Sequence, residues 1–297
     1  MKNIIHLSDL HISASRKFGF YYEDCINVVD KLVEDIRSLQ QTYDVTFDTV
    51  FFTGDLAFSG GKEEFNLFDK HVRTRIIEEL SLNRNDFHIL PGNHDVCRAD
   101  ISFFEKSNRN DNSDFVEGLF TAVNGKDQKW DRLSNYKEYE SSLGAQDYTD
   151  YEFLFKTKKV SSELYLVFLN SAWLCMDEND KENLFITKNQ FTKATRNIPH
   201  NAKIILLTHH PIDWLCSEDR VKFSSFLEKK VSLMFFGHMH EFKQIRESNF
   251  REDITIFLQA GTLDTRELYS GYSCVLLNNT NNISDGRVIY RRFDKEK

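Results

Sequence analysis

The stretch DFHIL-PGNHDV, residues 86–96, decides how the chain is read. A short apolar run ends in Pro91 and Gly92, the residues of a turn. Asn93, His94 and Asp95 then place an amide, an imidazole and a carboxylate side by side, which a turn alone does not require. The pattern of a buried strand followed by a chemically loaded loop recurs along the chain. It appears in NIIHLSDLH (3–11), FDTVFFTGDLAFSG (47–60), AKIILLTHHP (202–211) and VSLMFFGHMH (231–240).

These strand runs are apolar on both faces, as expected for strands sandwiched between layers. Further strands are expected at 163–170, 254–260 and 271–278, and GRVIYRRF (286–293) is placed to close a sheet. Helical stripes alternate with the early strands. Ile26, Val29, Leu32, Val33, Ile36 and Leu39 share one face, and so do Phe65, Phe68, Val72, Ile76 and Leu80. Shorter helices are expected near 188–196 and 220–229, with a second sheet built mainly late in the chain. The fold class is α/β in layers.

Residues 97–160 break this rhythm. A polar run, SNRNDNSD, precedes two helical segments, and YEFLFKTKKV has the pattern of a hairpin arm. The expectation is one domain over 1–297 with a mainly helical lid or cap insertion over 97–160. Lys156, Lys158 and Lys159 read as a solvated basic face.

A net charge of −8 gives the whole molecule no general attraction to nucleic acid or anionic lipid. Five dispersed cysteines without a C-x-x-C pair fit a thiol-reducing compartment. No run approaches a membrane span of roughly 20 apolar residues. The expected location is the cytoplasm.

In open α/β sheets ligands bind outside the carboxyl ends of the strands. Five such ends here offer two carboxylates (Asp9, Asp55), one amide (Asn93) and six imidazoles (His11, His94, His209, His210, His238, His240). D-x-H and H-x-H put alternate side chains on the same side of an extended segment. Carboxylate, amide and imidazole together suit borderline divalent metals rather than a thiolate site. They are too many for one tetrahedral ion. With one carboxylate bridging they suffice for two ions roughly 3.5–4 Å apart, the arrangement that serves in-line displacement at phosphorus.

Asp9-x-His11, Gly54-Asp55, Gly92-Asn93-His94, His209 and Gly237-His238-x-His240, in this order, resemble the motif set of calcineurin-like metallophosphoesterases. The resemblance implies a four-layer αββα sandwich of two mixed β-sheets flanked by helices. It implies two divalent transition-metal ions, manganese first, with iron, nickel, zinc or cobalt also compatible. Asp9, His11 and His240 would hold one ion, Asn93, His209 and His238 the other, and Asp55 would bridge. A metal-bridging hydroxide would attack phosphorus, and His94 would protonate the leaving oxygen or bind the charge of the transition state. Phosphatase-like members often carry an Asp three residues after the bridging Asp to orient that histidine. Phe58 stands there instead, which leaves Asp95 as a candidate by proximity.

Arg98, His210 and Asn170 are further candidates for supporting the site or binding substrate. Arg16 and Lys17 follow the first motif in a polar loop, as candidates to face the cleft, and Trp173 reads as packing with base stacking as the alternative. The expected substrate is a nucleotide or nucleic-acid phosphodiester, with a phosphomonoester of a nucleotide or phosphoprotein as the alternative. A non-catalytic interaction domain is a third reading. No membrane partner is expected. A homodimer or further domains remain open, since TGDLAFSGGKEEF and PGNHDVCR also resemble phosphoesterase modules of larger bacterial defense-type proteins.

Overall fold

The computed structural model describes residues 1, 3–101, 116, 118–120, 123, 131–144, 147–248, 254–279 and 282–294. Its strands, in chain order, are β1 (Asn3–Leu7), β2 (Ile12–Ser13), β3 (Phe20–Tyr21), β4 (Thr49–Phe52), β5 (Phe87–Ile89), β6 (Asp150–Glu152) and β7 (Phe155–Lys159). They continue with β8 (Leu164–Leu169), β9 (Lys203–Leu207), β10 (Val231–Phe236), β11 (Lys243–Ser248), β12 (Ile254–Gln259), β13 (Gly271–Asn279) and β14 (Asn282–Arg292). The main helices are α1 (Tyr22–Tyr43), α2 (Lys62–Phe68), α3 (Thr74–Glu79), α4 (Ser134–Ser142), α5 (Lys188–Thr195) and α6 (Ser217–Lys230).

Two mixed sheets form the center. One has the order β14-β13-β1-β4-β5 and the other β11-β12-β10-β9-β8-β7-β6. The strand period of two sorts their side chains. Ile4 and Phe51 of the first sheet meet Leu164, Leu166, Phe168, Ile205, Leu207, Leu233 and Phe235 of the second in a core between the sheets. The intervening residues, Ile5 and Leu7, Val167 and Leu169, Leu206 and Met234, turn outward into a larger apolar cluster. The expected helical stripes are buried there: Val29, Leu32 and Ile36 of α1, and Phe65, Phe68, Val72 and Ile76. The layers are therefore α, β, β, α.

Two features depart from the sequence expectation. The late strands β13 and β14 return to the first sheet, where β13 pairs antiparallel with β1. The long second helical stripe is interrupted by a π turn over Asp69–Arg73.

Much of the expected lid, residues 102–115 and 124–130, lies outside the described residues. The described part is tied to the body. Tyr139 of α4 stacks on Phe65 with ring centroids 5.5 Å apart. Asn135 donates to the Gly60 carbonyl at 2.9 Å, and the Arg132 carbonyl accepts from Cys97 at 2.8 Å. The hairpin arm is β6 and β7, built into the second sheet beside β8.

Lys156 and Lys158 are buried, contrary to the reading of a solvated face. Lys156 Nζ donates to Glu140 and to the Ile89 carbonyl, each at 2.6 Å. Lys158 reaches Asp86 and Asp147 at 3.1 Å each. Their partners are distant in sequence, so composition alone did not reveal the burial.

Candidate active site

Parallel pairing of β1 with β4, β4 with β5, β8 with β9, β9 with β10 and β10 with β12 aligns the carboxyl ends of these strands. The loops that leave them are stitched together by backbone hydrogen bonds. Asp9 N–H donates to the Gly54 carbonyl at 3.1 Å, and Leu10 and His11 N–H donate to the Asp55 carbonyl at 3.0 Å each. Gly237 N–H donates to the His209 carbonyl at 3.0 Å. These bonds join the segments in two pairs, Asp9 with Asp55 and His209 with His238, and the His238 N–H, donating to Asp9 Oδ1 at 3.1 Å, links the pairs.

Five of the eight non-glycine residues with positive φ among the described residues are Asp9, His11, Asp55, His238 and His240. Such left-handed backbone costs a non-glycine residue free energy and persists where the surroundings over-determine it. Here it turns each functional side chain back toward a common center. Gly54 and Gly237 stand beside two of these residues, Asp55 and His238, and Gly92 beside Asn93, because the chains approach closely. A Cβ at Gly92 would lie 2.2 Å from an Asp55 carboxylate oxygen, and one at Gly237 would lie 2.0 Å from Ser8 Oγ.

The side chains converge as follows. His11 Nε2 lies 3.1 Å from Asp55 Oδ2, and His240 Nε2 lies 3.4 Å from Asp9 Oδ1. His209 Nε2 lies 3.4 Å from Asp55 Oδ2 and 3.0 Å from Asn93 Oδ1. His238 Nδ1 lies 2.9 Å from the same Asn93 oxygen. All seven candidate metal residues are brought together.

The donor set can be tested against a metal. His209 Nδ1 donates to the Thr53 carbonyl at 2.7 Å, which can only accept. Neutral His209 therefore presents an Nε2 lone pair, and that lone pair faces two oxygens. A carbonyl holding the far nitrogen is the usual way a ligating histidine is fixed. Charge follows the same logic. Burial opposes charge on His209 and His240, but for His209 the Asp55 carboxylate, and for His240 a hydrogen bond donated to the Asp9 carboxylate, outweighs it and raises each to about 9. Burial likewise opposes ionization of Asp9, but His240 prevails and holds it near 2. The buried carboxylates call for two positive charges between them and the imidazoles. Protons on His209 and His240 are one answer, and two divalent cations displacing those protons are another. The residues fit such a pair of ions.

His94 lies apart from this inner set. Its Nδ1–H donates to the Phe58 carbonyl at 2.8 Å, and its ring meets His11 edge-on at 4.6 Å between centroids. Its backbone N–H donates to Asp55 Oδ1 at 2.8 Å. Burial lowers its pKa, and the His11 and Arg98 charges add to that against the pull of Asp55. The group that orients His94 is thus a backbone oxygen of Phe58, at the position where the resembling family often has a carboxylate. The residue's identity could not announce this, because any residue has the carbonyl.

Asp95 does not orient His94. Its carboxylate accepts from Gly92 at 2.8 Å, Ala57 at 2.8 Å and Leu56 at 3.2 Å. It ties the loop carrying Asn93 and His94 to the loop carrying Asp55. Burial and Asp55 push it up to about 8, while the three N–H donors pull the other way.

The other candidates divide. His210 is buried with Nδ1 2.9 Å from Ser171 Oγ and Nε2 3.7 Å from Cys175 Sγ, so both nitrogens are engaged beneath the site. Asn170 turns the chain after β8, its Oδ1 accepting from Ala172 at 3.0 Å. Arg98 is exposed on the short turn Arg98–Asp100, close enough for its charge to act on His94. Arg16 pairs with Glu23 at 2.5 Å and lies over the Tyr21 ring, engaged with its own loop. Trp173 is fully buried and donates to the Phe185 carbonyl at 2.9 Å, so packing explains it. Sequence reasoning missed Trp214, whose ring lies 4.0 Å from that of His238.

Among the described residues no helix is long and apolar enough to cross a membrane. All five cysteines are free.

An uncharacterized metallophosphoesterase-like protein, YydB of Bacillus subtilis (strain 168), is 25% identical over 272 residues, covering 87% of this chain and 53% of its own length. A probable glycerophosphodiester phosphodiesterase, GpdQ of Arcobacter nitrofigilis, is 26% identical over 111 residues, 35% of this chain and 36% of its own length. The chain thus spans about half or less of each of these relatives. A solved dimetal phosphatase from Danio rerio superposes with a TM-score of 0.49 at 12% identity, covering 93% of this chain and 92% of its own. The family model described as calcineurin-like phosphoesterase matches residues 2–242. The chain belongs to the calcineurin-like phosphoesterase family.

Proposed function

We propose that the chain hydrolyzes a phosphodiester of the nucleotide or nucleic-acid type. Asp9, His11 and His240 would hold one divalent ion, Asn93, His209 and His238 the second, and Asp55 would bridge them. When bound, the ions would neutralize charge on the phosphoryl oxygens and lower the pKa of water. The chain's own residues do the rest. Thr53 and the left-handed loops fix the ligand side chains, so that their geometry costs nothing to assemble during reaction.

His94 serves the leaving oxygen. Its Nδ1 proton is committed to Phe58, so Nε2 is the atom that exchanges a proton with substrate. A carbonyl gives an imidazolium less support than a carboxylate would. His94 is therefore neutral before substrate arrives and gains its proton in the presence of phosphate charge.

The observation that carries the diester reading is this carbonyl at Phe58 in place of a carboxylate. The stretch of similarity to a probable glycerophosphodiester phosphodiesterase points the same way. The test is a metal-supplemented panel of bis-p-nitrophenyl phosphate, p-nitrophenyl phosphate, cyclic nucleotides, and single- and double-stranded DNA. The expected outcome is a kcat/KM at least about tenfold higher on a diester than on the monoester, about 1.4 kcal/mol of preference. A monoester preference of that size overturns the diester reading, and inactivity throughout with every metal overturns the enzyme reading.

A further inference from the structure

Trp214 follows the His209-His210-Pro211 segment on the short turn Ile212–Trp214. Its backbone is fixed on both sides. Its N–H donates to the Pro211 carbonyl at 3.1 Å, and its own carbonyl accepts from Leu184 at 3.3 Å. The indole meets the His238 ring edge to face, at 80° and 4.0 Å between centroids, the shortest ring contact recorded at the site. It also lies 5.8 Å from the His210 ring, which is itself 4.5 Å from His238. His209 completes the enclosure at 5.2 Å.

His238 is thus boxed by three rings, but two of them are held by other duties. His209 is fixed by the Thr53 carbonyl, and His210 by Ser171. Trp214 is different. Its Nε1 is buried and has no acceptor among the described residues, a state that disfavors this placement of the ring unless packing holds it there. No acceptor among the described residues holds the ring where it is, so packing positions it, against the outer apolar cluster on one side and His238 on the other. That contact fixes the orientation in which His238 Nδ1 faces Asn93 Oδ1 at 2.9 Å. His238 has left-handed backbone, φ 71°, so the direction its ring takes depends on what packs against it.

We propose that Trp214 is a positioning residue for the second ion, its indole ring clamping His238 in the ligating orientation. This rests on the two-ion reading of the site. Outer partners of metal-binding histidines are commonly hydrogen-bond acceptors. Here an aromatic wall would do that work.

The experiment titrates metal-free wild type, Trp214→Phe and Trp214→Ala with Co²⁺, following its visible absorption and the protein's fluorescence. Thermal melts of the metal-free proteins establish that each variant is folded. The expected result is that Trp214→Ala binds the second equivalent at least tenfold more weakly and the first unchanged. Trp214→Phe, which keeps a ring and removes the unpaired N–H, should stay within threefold of wild type. The fluorescence lost between wild type and Trp214→Phe should respond to the second equivalent and not to the first. Unchanged second-ion affinity in a folded Trp214→Ala overturns the proposal, and so does equal weakening of both equivalents. Failure of the two-ion reading looks different: wild type itself would then bind fewer than two equivalents, and the proposal would fall with it.

Discussion

Two polar clusters lie buried in this molecule, and they are built on opposite plans. Around Lys156, donors and acceptors are matched. Glu140 accepts from Lys156 at 2.6 Å, Tyr151 at 2.8 Å and Tyr136 at 3.2 Å, and the remaining reach of Lys156 goes to the Ile89 carbonyl. None of these residues has positive φ. At the ends of the strands, lone pairs face lone pairs across Asp55, Asn93 and His209, on backbone held left-handed at five positions. The first cluster is complete within the protein and fastens α4 and β7 to the end of β5. The second leaves acceptors facing one another, which protons on its imidazoles or divalent cations from outside can satisfy. A buried polar cluster that balances itself is architecture. One that leaves matched acceptors converging on a center is a binding site.

The sharpest break between the two comes from removing one carboxylate. Asp55→Asn is expected to abolish turnover, at least about 10³-fold, and to remove the stabilization that metal confers. At 100 times the dissociation constant that stabilization is about 2.7 kcal/mol in wild type. Melting curves with and without Mn²⁺ measure it, and they should coincide in the variant.

Lys156→Ala should do the reverse. It leaves Glu140 buried without its cation, at a cost of about 3–5 kcal/mol, while the stabilization by metal persists. Urea denaturation with and without metal separates the two contributions. If Lys156→Ala instead lost its response to metal, the clusters would not be independent.

The smallest effect belongs to a third group nearer the surface. Asp35 is pulled below its ordinary value by Arg291 and Tyr272, against the effect of burial. A depressed carboxylate adds stability above its unfolded pKa, about 3.9, and loses it as pH falls through its lower folded value. Asp35→Asn should therefore narrow the gap in melting temperature between neutral pH and pH 3 by a few degrees, as scanning calorimetry would show.

How far the sequence revealed these clusters follows from the kind of atom involved. Asp9, His11, Asp55, Asn93, His209, His238 and His240 were visible because side-chain chemistry repeated at five strand ends. The strands were visible because residues such as Ile4 and Ile5 are apolar toward both neighboring layers. Phe58 was read for the carboxylate it lacks, and its carbonyl turned out to hold His94. Asp95 beside His94 suggested a partner, yet its bonds run to Leu56, Ala57 and Gly92. Lys156 and Glu140 are 16 residues apart and on different elements, so neither gave any sign of the other. Left-handed backbone at Asp9 or His238 has only a faint signature in residue type, since Asp and His are enriched there but mostly sit elsewhere.

The central claim is that seven side chains bind cations and His94 does not. The measurement is the metal content of His94→Ala, by elemental analysis after Mn²⁺ loading and desalting, alongside turnover on bis-p-nitrophenyl phosphate. The account predicts about two equivalents of metal, as in wild type, with kcat reduced about 10²–10⁴-fold. Loss of one or both ions from His94→Ala would contradict it, because His94 would then belong to the ligands and not to the substrate.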